Sequence, residues 1–405
     1  MNLNRIKKLP ITIVALFACS LPALATYAPI PAVEQGRVFT LYLGAGCYYD
    51  TNIFGAANAA IGSLVFQLQP NAVLNFSLAD QTLLSASYQA SLDYFDSRPG
   101  DEFLLSHTIT ARLAHTFSPR LDAEINDTFQ VIKNPESLLP GIADAIANPD
   151  QSLNHNQLEA KAAFTATPRD TIKAVARAGN FFYQNPWLRH DLNLGQYTAA
   201  LQAIHSVREN LQAIAEYRYG AIRYANDGDL KNKDTHALFA GADYAPTKLT
   251  AITARLGIEQ LLRKNAPDAT LPYIELAVKH DFFNNSFISA GYTFAVQETS
   301  GVLTYTDMYA HHFFLNAQHG LTRQLLLTAL ADWQPSRLNA REPPAPGAKE
   351  PDINETNLKL GIALTFLMGK RWSFSFTCDY DNISSDNPQR NLNRARTGIR
   401  GRWIF

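Results

Sequence analysis

From about residue 38 onward the chain alternates apolar and polar residues with a period of two. The stretch "FLLSHTITARLAHTF" (103–117) puts Phe103, Leu105, Ile109, Ala111, Leu113 and Phe117 on one face. Ser106, Thr108, Thr110 and Arg112 fall on the other, while His107 and His115 share the apolar face. "NLKLGIALTF" (357–366) and "RWSFSFTCDY" (371–380) alternate in the same way. Such a pattern predicts strands with one apolar and one polar face.

Laid end to end, the pattern predicts eighteen strands: 38–49, 60–77, 82–95, 103–117, 121–132, 154–166, 171–184, 191–206, 210–224, 234–246, 249–263, 271–281, 285–298, 304–318, 322–335, 354–367, 371–383 and 391–405. A merged or split hairpin would change the count to 16 or 20. The segments run well beyond the roughly 5–6 residues of an ordinary strand. They match the about 9–11 residues that a tilted strand needs to cross a bilayer. Short polar turns recur after the even-numbered segments, as in "HTFSPRLDAEI" (115–125), "TATPRDTIKAV" (165–175) and "DYAPTKLTAIT" (243–253). Long polar loops follow odd-numbered ones, at 132–153, 225–233, 264–270, 336–353 and 384–390. Even count, short turns at one end and long loops at the other predict an all-β fold, a transmembrane antiparallel up-and-down barrel. Closure is required because an open sheet edge in lipid would leave backbone groups unpaired.

The N-terminus fits this destination. Arg5, Lys7 and Lys8 precede the apolar core "ITIVALFACSLPALA" (11–25), which ends in Ala23-Leu24-Ala25. We expect a signal peptide over 1–25 cleaved before Thr26, a short periplasmic segment over 26–37 and a barrel over 38–405. The chain ends in "GIRGRWIF", with Ile399, Gly401, Trp403 and the terminal Phe405 on one face. That ending resembles the C-terminal assembly signal of bacterial outer-membrane proteins. It implies two partners, outer-membrane lipid and the barrel assembly machinery, the latter through Trp403 and Phe405.

"GCYYDTNIF" (46–54) at the end of the first strand, together with the "SPR" and "TPRD" turns, resembles the β-barrel porin family of bacterial outer-membrane proteins. The likeness is scattered over almost the whole mature chain. It implies an outer-membrane barrel and a pore for small hydrophilic solutes, and transfers no catalytic residues. Some members accompany exopolysaccharide gene clusters. A non-conducting barrel supporting polysaccharide export or surface adhesion is therefore the alternative function. Trimeric and monomeric barrels share the pattern, so a homo-oligomer is compatible with it.

Charge matters chiefly on the inward face, which meets water in a wide barrel. Arg394, Arg396, Arg400 and Arg402 share one parity of the last strand, interrupted only by Gly398. By alternation with Trp403 and Phe405 they point into the lumen. There they would attract anions or acidic sugars, or pair with acids such as Asp379 on the preceding strand. Other expected lumen charges are Arg112, Lys173, Arg177, Arg218, Arg255, Lys279 and Lys359, against Asp122, Glu124, Glu216, Glu259, Glu275 and Asp281. They form either opposed rows with a transverse field or compensating ion pairs, and parity cannot distinguish the two. The loop around 132–153 has the apolar centre "LLPGIADAIA" and either enters the lumen or caps it; Glu136, Asp144 and Asp150 are its candidate constriction residues. "FFYQNPW" (181–187) reads as an interface girdle or a sugar-stacking platform.

Composition excludes other classes. The chain of 405 residues has 35 Lys and Arg; less the three of the signal, 32 stand against 36 Asp and Glu, a net −4 that gives no support to nucleic-acid binding. There is no GxSxG, HExxH, CxxC or phosphate loop, so no enzyme, cofactor or metal is expected. Adjacent His311 and His312 point to opposite faces of a strand and cannot jointly hold a metal. Cys47 and Cys378 remain in the mature chain. They fall two strands apart, about 9.6 Å, beyond the about 7 Å reach of a disulfide. Both are expected to be free.

Overall fold

The computed structural model describes residues 37–133, 152–283, 285–341 and 351–405. The signal peptide, most of the 26–37 segment and the loop residues Glu136, Asp144 and Asp150 lie outside the described residues. The strands are β1 (Phe39–Asp50), β2 (Ser63–Ala79), β3 (Thr82–Phe95), β4 (Phe103–Ser118), β5 (Leu121–Ile132), β6 (Leu153–Thr165), β7 (Asp170–Tyr183), β8 (Leu194–Arg208), β9 (Leu211–Tyr224), β10 (Lys233–Thr247), β11 (Thr250–Arg263), β12 (Ala269–Phe282), β13 (Ser286–Gln297), β14 (Tyr305–Gly320), β15 (Leu325–Ala340), β16 (Ile353–Met368), β17 (Trp372–Ser385) and β18 (Leu392–Ile404). Two short helices, α1 (Pro186–Leu192) and α2 (Gly228–Lys231), sit in long-side loops.

Each strand pairs antiparallel with its sequence neighbours, and β1 pairs with β18 from Tyr42↔Ile404 to Asp50↔Arg396. The sheet is therefore a closed barrel of 18 strands. All eighteen predicted segments form strands. The largest shifts have local causes. β8 starts at Leu194 because Pro186 opens a helical turn capped by Asn185. β15 continues through Pro335 to Ala340.

Outward positions carry the apolar residues. On β16 Leu360, Ile362, Leu364 and Phe366 are exposed, while Gly361, Ala363 and Thr365 between them are buried. No helix among the described residues is long and apolar enough to cross a membrane; the crossing is made by strands whose apolar side faces outward. Long loops mark the extracellular end of such barrels and short turns the periplasmic end.

Prolines within strands coincide with gaps in the ladder, because proline has no N–H to donate. At Pro70 the β2–β3 pairing skips from Leu68↔Leu92 to Asn71↔Gln89. At Pro335 the β14–β15 pairing skips from Phe313↔Trp333 to Ala310↔Ser336. At Pro246 the β10–β11 pairing skips from Tyr244↔Ile252 to Thr247↔Thr250, and the fourth case, Pro272, marks a longer break. β12 pairs with β11 as far as Leu261↔Ala269, and β13 with β14 as far as Gln297↔Met308. The ladder between β12 and β13 nevertheless stops at Ile274↔Phe294. Above that point the tip of β13 leaves its neighbour.

Candidate functional site

Alternation places Arg394, Arg396, Arg400 and Arg402 on the inward face of β18, opposite exposed Ile399 and Phe405. Each is held by a neighbour. Arg394 is buried against Asp50 of β1, with Nη2 2.5 Å from the carboxylate. Arg396 pairs with Asp381 of β17 at 2.9 Å. Asp379, the acid expected from the sequence, stands in register with Arg396, and Asp381 lies one inward position along. Arg400 donates to the neutral amide oxygen of Gln67 (2.7 Å), and Arg402 lies over the ring of Tyr42, 4.1 Å from its centroid.

The other inward charges pair mostly with near neighbours. Arg112 meets Glu124 (2.5 Å), Arg177 meets Glu159 (2.5 Å), Arg218 meets Glu216 (2.7 Å), Arg255 meets Asp243 (2.7 Å) and Lys279 meets Asp281 (2.9 Å). Lys359 is in register with Asp332 on one side and Asp381 on the other. This is the compensating arrangement, formed along one strand or across one strand step. Lys161, Glu159, Asp243, Asp50 and Asp381 belong to it and were not among the residues singled out from the sequence. Their inward parity was legible; their pairing partners were not.

The extracellular mouth holds a feature that sequence reading passed over. The connection between β13 and β14, Glu298–Thr304, turns into the barrel. Its Val302 packs in one apolar cluster with Leu153, Phe181, Tyr183, Leu192, Leu194 and Tyr224, contributed by β6, β7, α1, β8 and β9. Lys233, at the start of β10, pairs with Glu298 at 2.5 Å and donates to the Thr306 carbonyl at 2.9 Å. Three strand steps along a barrel wall are about 14 Å. Contact between β10 and the end of β13 thus requires the chain to cut across the lumen.

The ledge is tied down at several points. Tyr224 donates its hydroxyl to Glu298 (2.7 Å). Arg263 of β11 pairs with Asp307, which also accepts from Asn339 (2.7 Å). Arg341, just beyond β15, donates to the carbonyls of Val302 (2.9 Å) and Tyr305 (3.4 Å), and to Leu230 of α2 (2.7 Å). Burial pulls the Arg341 guanidinium below the ordinary arginine value, while Tyr224, Glu298 and Asp307 act in the opposite direction. Glu298, Lys233 and Asp307 are all buried; charges so placed persist only when paired and hydrogen-bonded. The sequence signals were faint: Pro272 at the break, and the apolar pair Val302-Leu303 in the otherwise small and polar "ETSGVLT" (298–304).

The aromatic run 181–187 divides between environments. Phe181 and Tyr183 are buried in the cluster beneath the ledge, Phe182 faces outward and Trp187 is exposed on α1. Neither a pure girdle nor an open stacking platform describes it. Nearby His190, Asp191 and Asp227 bring ligand atoms within 4.8 Å of one another. The buried ammonium of Lys231 already lies 3.3 Å from Asp227 and 3.8 Å from Asp191, so the acids have a cation. Cys47 and Cys378 are free.

No family model matches this chain, and no curated protein matches it. Solved structures similar to it include OpdQ of Pseudomonas aeruginosa, with 9% identity, 91% of this chain and 97% of that one covered, and a TM-score of 0.49. OccAB4 of Acinetobacter baumannii has 11% identity, coverage of 92% and 100%, and a TM-score of 0.49. The siderophore receptor PirA of Pseudomonas aeruginosa has 9% identity, coverage of 90% and 80%, and a TM-score of 0.45. Identities and scores this low leave the strand pairings of the chain itself as the ground for its fold: a closed transmembrane β-barrel of 18 antiparallel strands.

Proposed function

We propose that this chain is an outer-membrane channel for passive diffusion of small hydrophilic solutes, with anions or saccharides preferred. The observation that carries the reading is the division of faces in a closed barrel. Arginines and their partners line the inside of β18 while Ile399 and Phe405 meet the outside. An 18-strand barrel with a polar inner wall suits an aqueous path. The four arginines of the β18 wall supply the anion preference, and the 298–304 ledge restricts solute size. In this reading residues 1–25 are removed near Ala25 and 26–37 remain in the periplasm. The aromatic terminus serves barrel assembly: Trp403 stacks on Trp372 (5.4 Å) and meets Phe405 (3.9 Å) on the outer face. Glu136, Asp144 and Asp150 stay candidates for a second restriction.

Single-channel recording of the refolded protein in a planar bilayer, with asymmetric salt, tests the reading. Steady open steps with anion preference are expected. A folded barrel without conductance would overturn it and favour the second reading, a closed barrel that supports polysaccharide export or adhesion. The observation on that side is the buried ledge itself, which bridges the mouth from β13 to β9.

A further inference from the structure

Seven of the ten histidines lie on the outward face in two belts. At the long-loop end His107, His236 and His311 each meet a tyrosine hydroxyl of the adjacent strand through Nδ1. The pairs are Tyr88–His107 (2.9 Å), Tyr217–His236 (2.8 Å) and Tyr292–His311 (2.9 Å). The register is identical each time: the tyrosine stands opposite the residue two beyond the histidine (Tyr88↔Ile109, Tyr217↔Leu238, Tyr292↔Phe313). At the short-turn end His115, His205, His280 and His319 each meet a residue at the start of the preceding strand, again through Nδ1. Their partners are Thr82 (2.7 Å), Asp170 (2.7 Å), Thr250 (2.8 Å) and Ser286 (3.2 Å).

The spacing between belts is regular. β4 carries both His107 and His115, and β14 carries both His311 and His319, eight residues apart in each case. Between them the outward residues are apolar: Ile109, Ala111 and Leu113 on β4, Phe313, Leu315 and Ala317 on β14. Eight residues span about 26 Å along a strand. At the usual tilt of about 35–45° that is about 20 Å along the barrel axis. An outer-membrane barrel has an apolar band of about 25 Å. The belts therefore frame the apolar band at its two boundaries, where lipid headgroups lie.

We propose that the two belts bind the phosphate groups of the lipids that surround the barrel. In six of the seven contacts a hydroxyl faces Nδ1; when that hydroxyl donates, Nε2 carries the hydrogen and is the imidazole atom left for an acceptor, while at His205 Nδ1 donates to the Asp170 carboxylate and Nε2 carries a hydrogen only in the protonated ring. A lipid phosphate is the anionic acceptor at that depth. A tyrosine, threonine or serine hydroxyl, or at His205 the Asp170 carboxylate, holds each ring in place, so little side-chain freedom remains to be lost on contact. The charged groups beside the belts are Asp170 at His205, and Asp234 with Arg223 (2.5 Å apart) near His236, where Tyr219 also bonds Asp234 (2.6 Å). The other five rings meet hydroxyls alone in these contacts. The inference does not depend on whether the lumen conducts.

The test uses refolded protein in maltoside micelles and native mass spectrometry. Retention of palmitoyl-oleoyl phosphatidylglycerol is compared with that of the diacylglycerol bearing the same chains. The wild type is expected to retain the phospholipid and not the phosphate-free lipid. H107Q/H236Q/H311Q and H115Q/H205Q/H280Q/H319Q are each expected to bind phosphatidylglycerol roughly tenfold more weakly, one charge-assisted hydrogen bond being worth about 1.5–3 kcal/mol. Glutamine keeps a hydrogen-bonding end, and each belt is tested apart, so a folding failure in one variant leaves the other. Y88F/Y217F/Y292F retains the rings but frees them, and should fall between. Equal retention of both lipids by the wild type, or undiminished phospholipid retention by folded belt variants, would overturn the inference and leave the bonds as strand staples.

Discussion

Arg394 of the last strand grips Asp50 of the first, with Nε 3.0 Å from both carboxylate oxygens and Nη2 2.5 Å from one of them. Asp50 is fully buried and also accepts from the Asn52 amide (2.9 Å). The pair closes the barrel at its extracellular end. Removing one partner of such a buried pair costs about 3–5 kcal/mol, because the other charge stays behind in the dark of a low-dielectric site. D50A should therefore lower the temperature at which the barrel unfolds on a heat-modifiability gel. D50A/R394A should recover part of the loss. A double variant no better than the single one would show that the carboxylate acts only through Asn52.

The same junction explains the gap in the arginine ladder. Gly398 stands opposite Tyr48, and a Cβ added there would collide with Tyr48 and the Cys47 carbonyl. The colliding atoms are backbone and Cβ, which cannot swing aside. G398V should reduce the folded fraction recovered on refolding. G401V, whose added atom meets the Phe374 ring at 3.4 Å, should be milder; equal effects would refute the steric account.

Arginines along one wall are not equivalent. Arg394 and Arg396 pair directly with carboxylates, Arg400 donates to Gln67, which in turn donates to Asp93 (2.7 Å), and Arg402 covers Tyr42. Reversal potentials under asymmetric salt should lose anion preference in R400Q/R402Q and keep most of it in R396Q. The opposite ranking would place the selective charge at the mouth.

The ledge offers a sharper contrast. V302D puts a charge into the apolar cluster of Phe181, Tyr183, Leu192 and Tyr224, an environment that costs several kcal/mol for an unpaired ion. K233M leaves Glu298 without its 2.5 Å partner. Both should release 298–304 from the lumen and raise single-channel conductance. Unaltered conductance in folded V302D would mean that the ledge does not restrict the path.

Cys47 and Cys378 are outward-facing and free. In liposomes both should react with a lipophilic maleimide and resist a charged sulfonate reagent, read by mass of the labelled chain. Prompt labelling by the charged reagent would place them outside the apolar band.

Period-two alternation placed every strand and the face of nearly every charge, while leaving the count open to 16 or 20 and some strand ends, those of β8 and β15 above all, to the structure. A strand buries or exposes whole parities at once, so Arg394, Lys359 and Glu124 were assigned inward without coordinates. The order of closure also follows, since lipid permits no open edge. The partners were decided only by the tertiary structure. That Arg394 meets Asp50 across the closure and Arg396 meets Asp381 depends on stagger and side-chain reach, which alternation does not encode. The ledge was decided there as well. Its contacts join β13 to β6–β10 across the lumen, between residues far apart in sequence and not adjacent around the wall. Local patterning specifies each strand's face to lipid and water. A chord through the interior depends on cross-lumen shape and on a broken ladder at Pro272, both of which exist only once the barrel has closed.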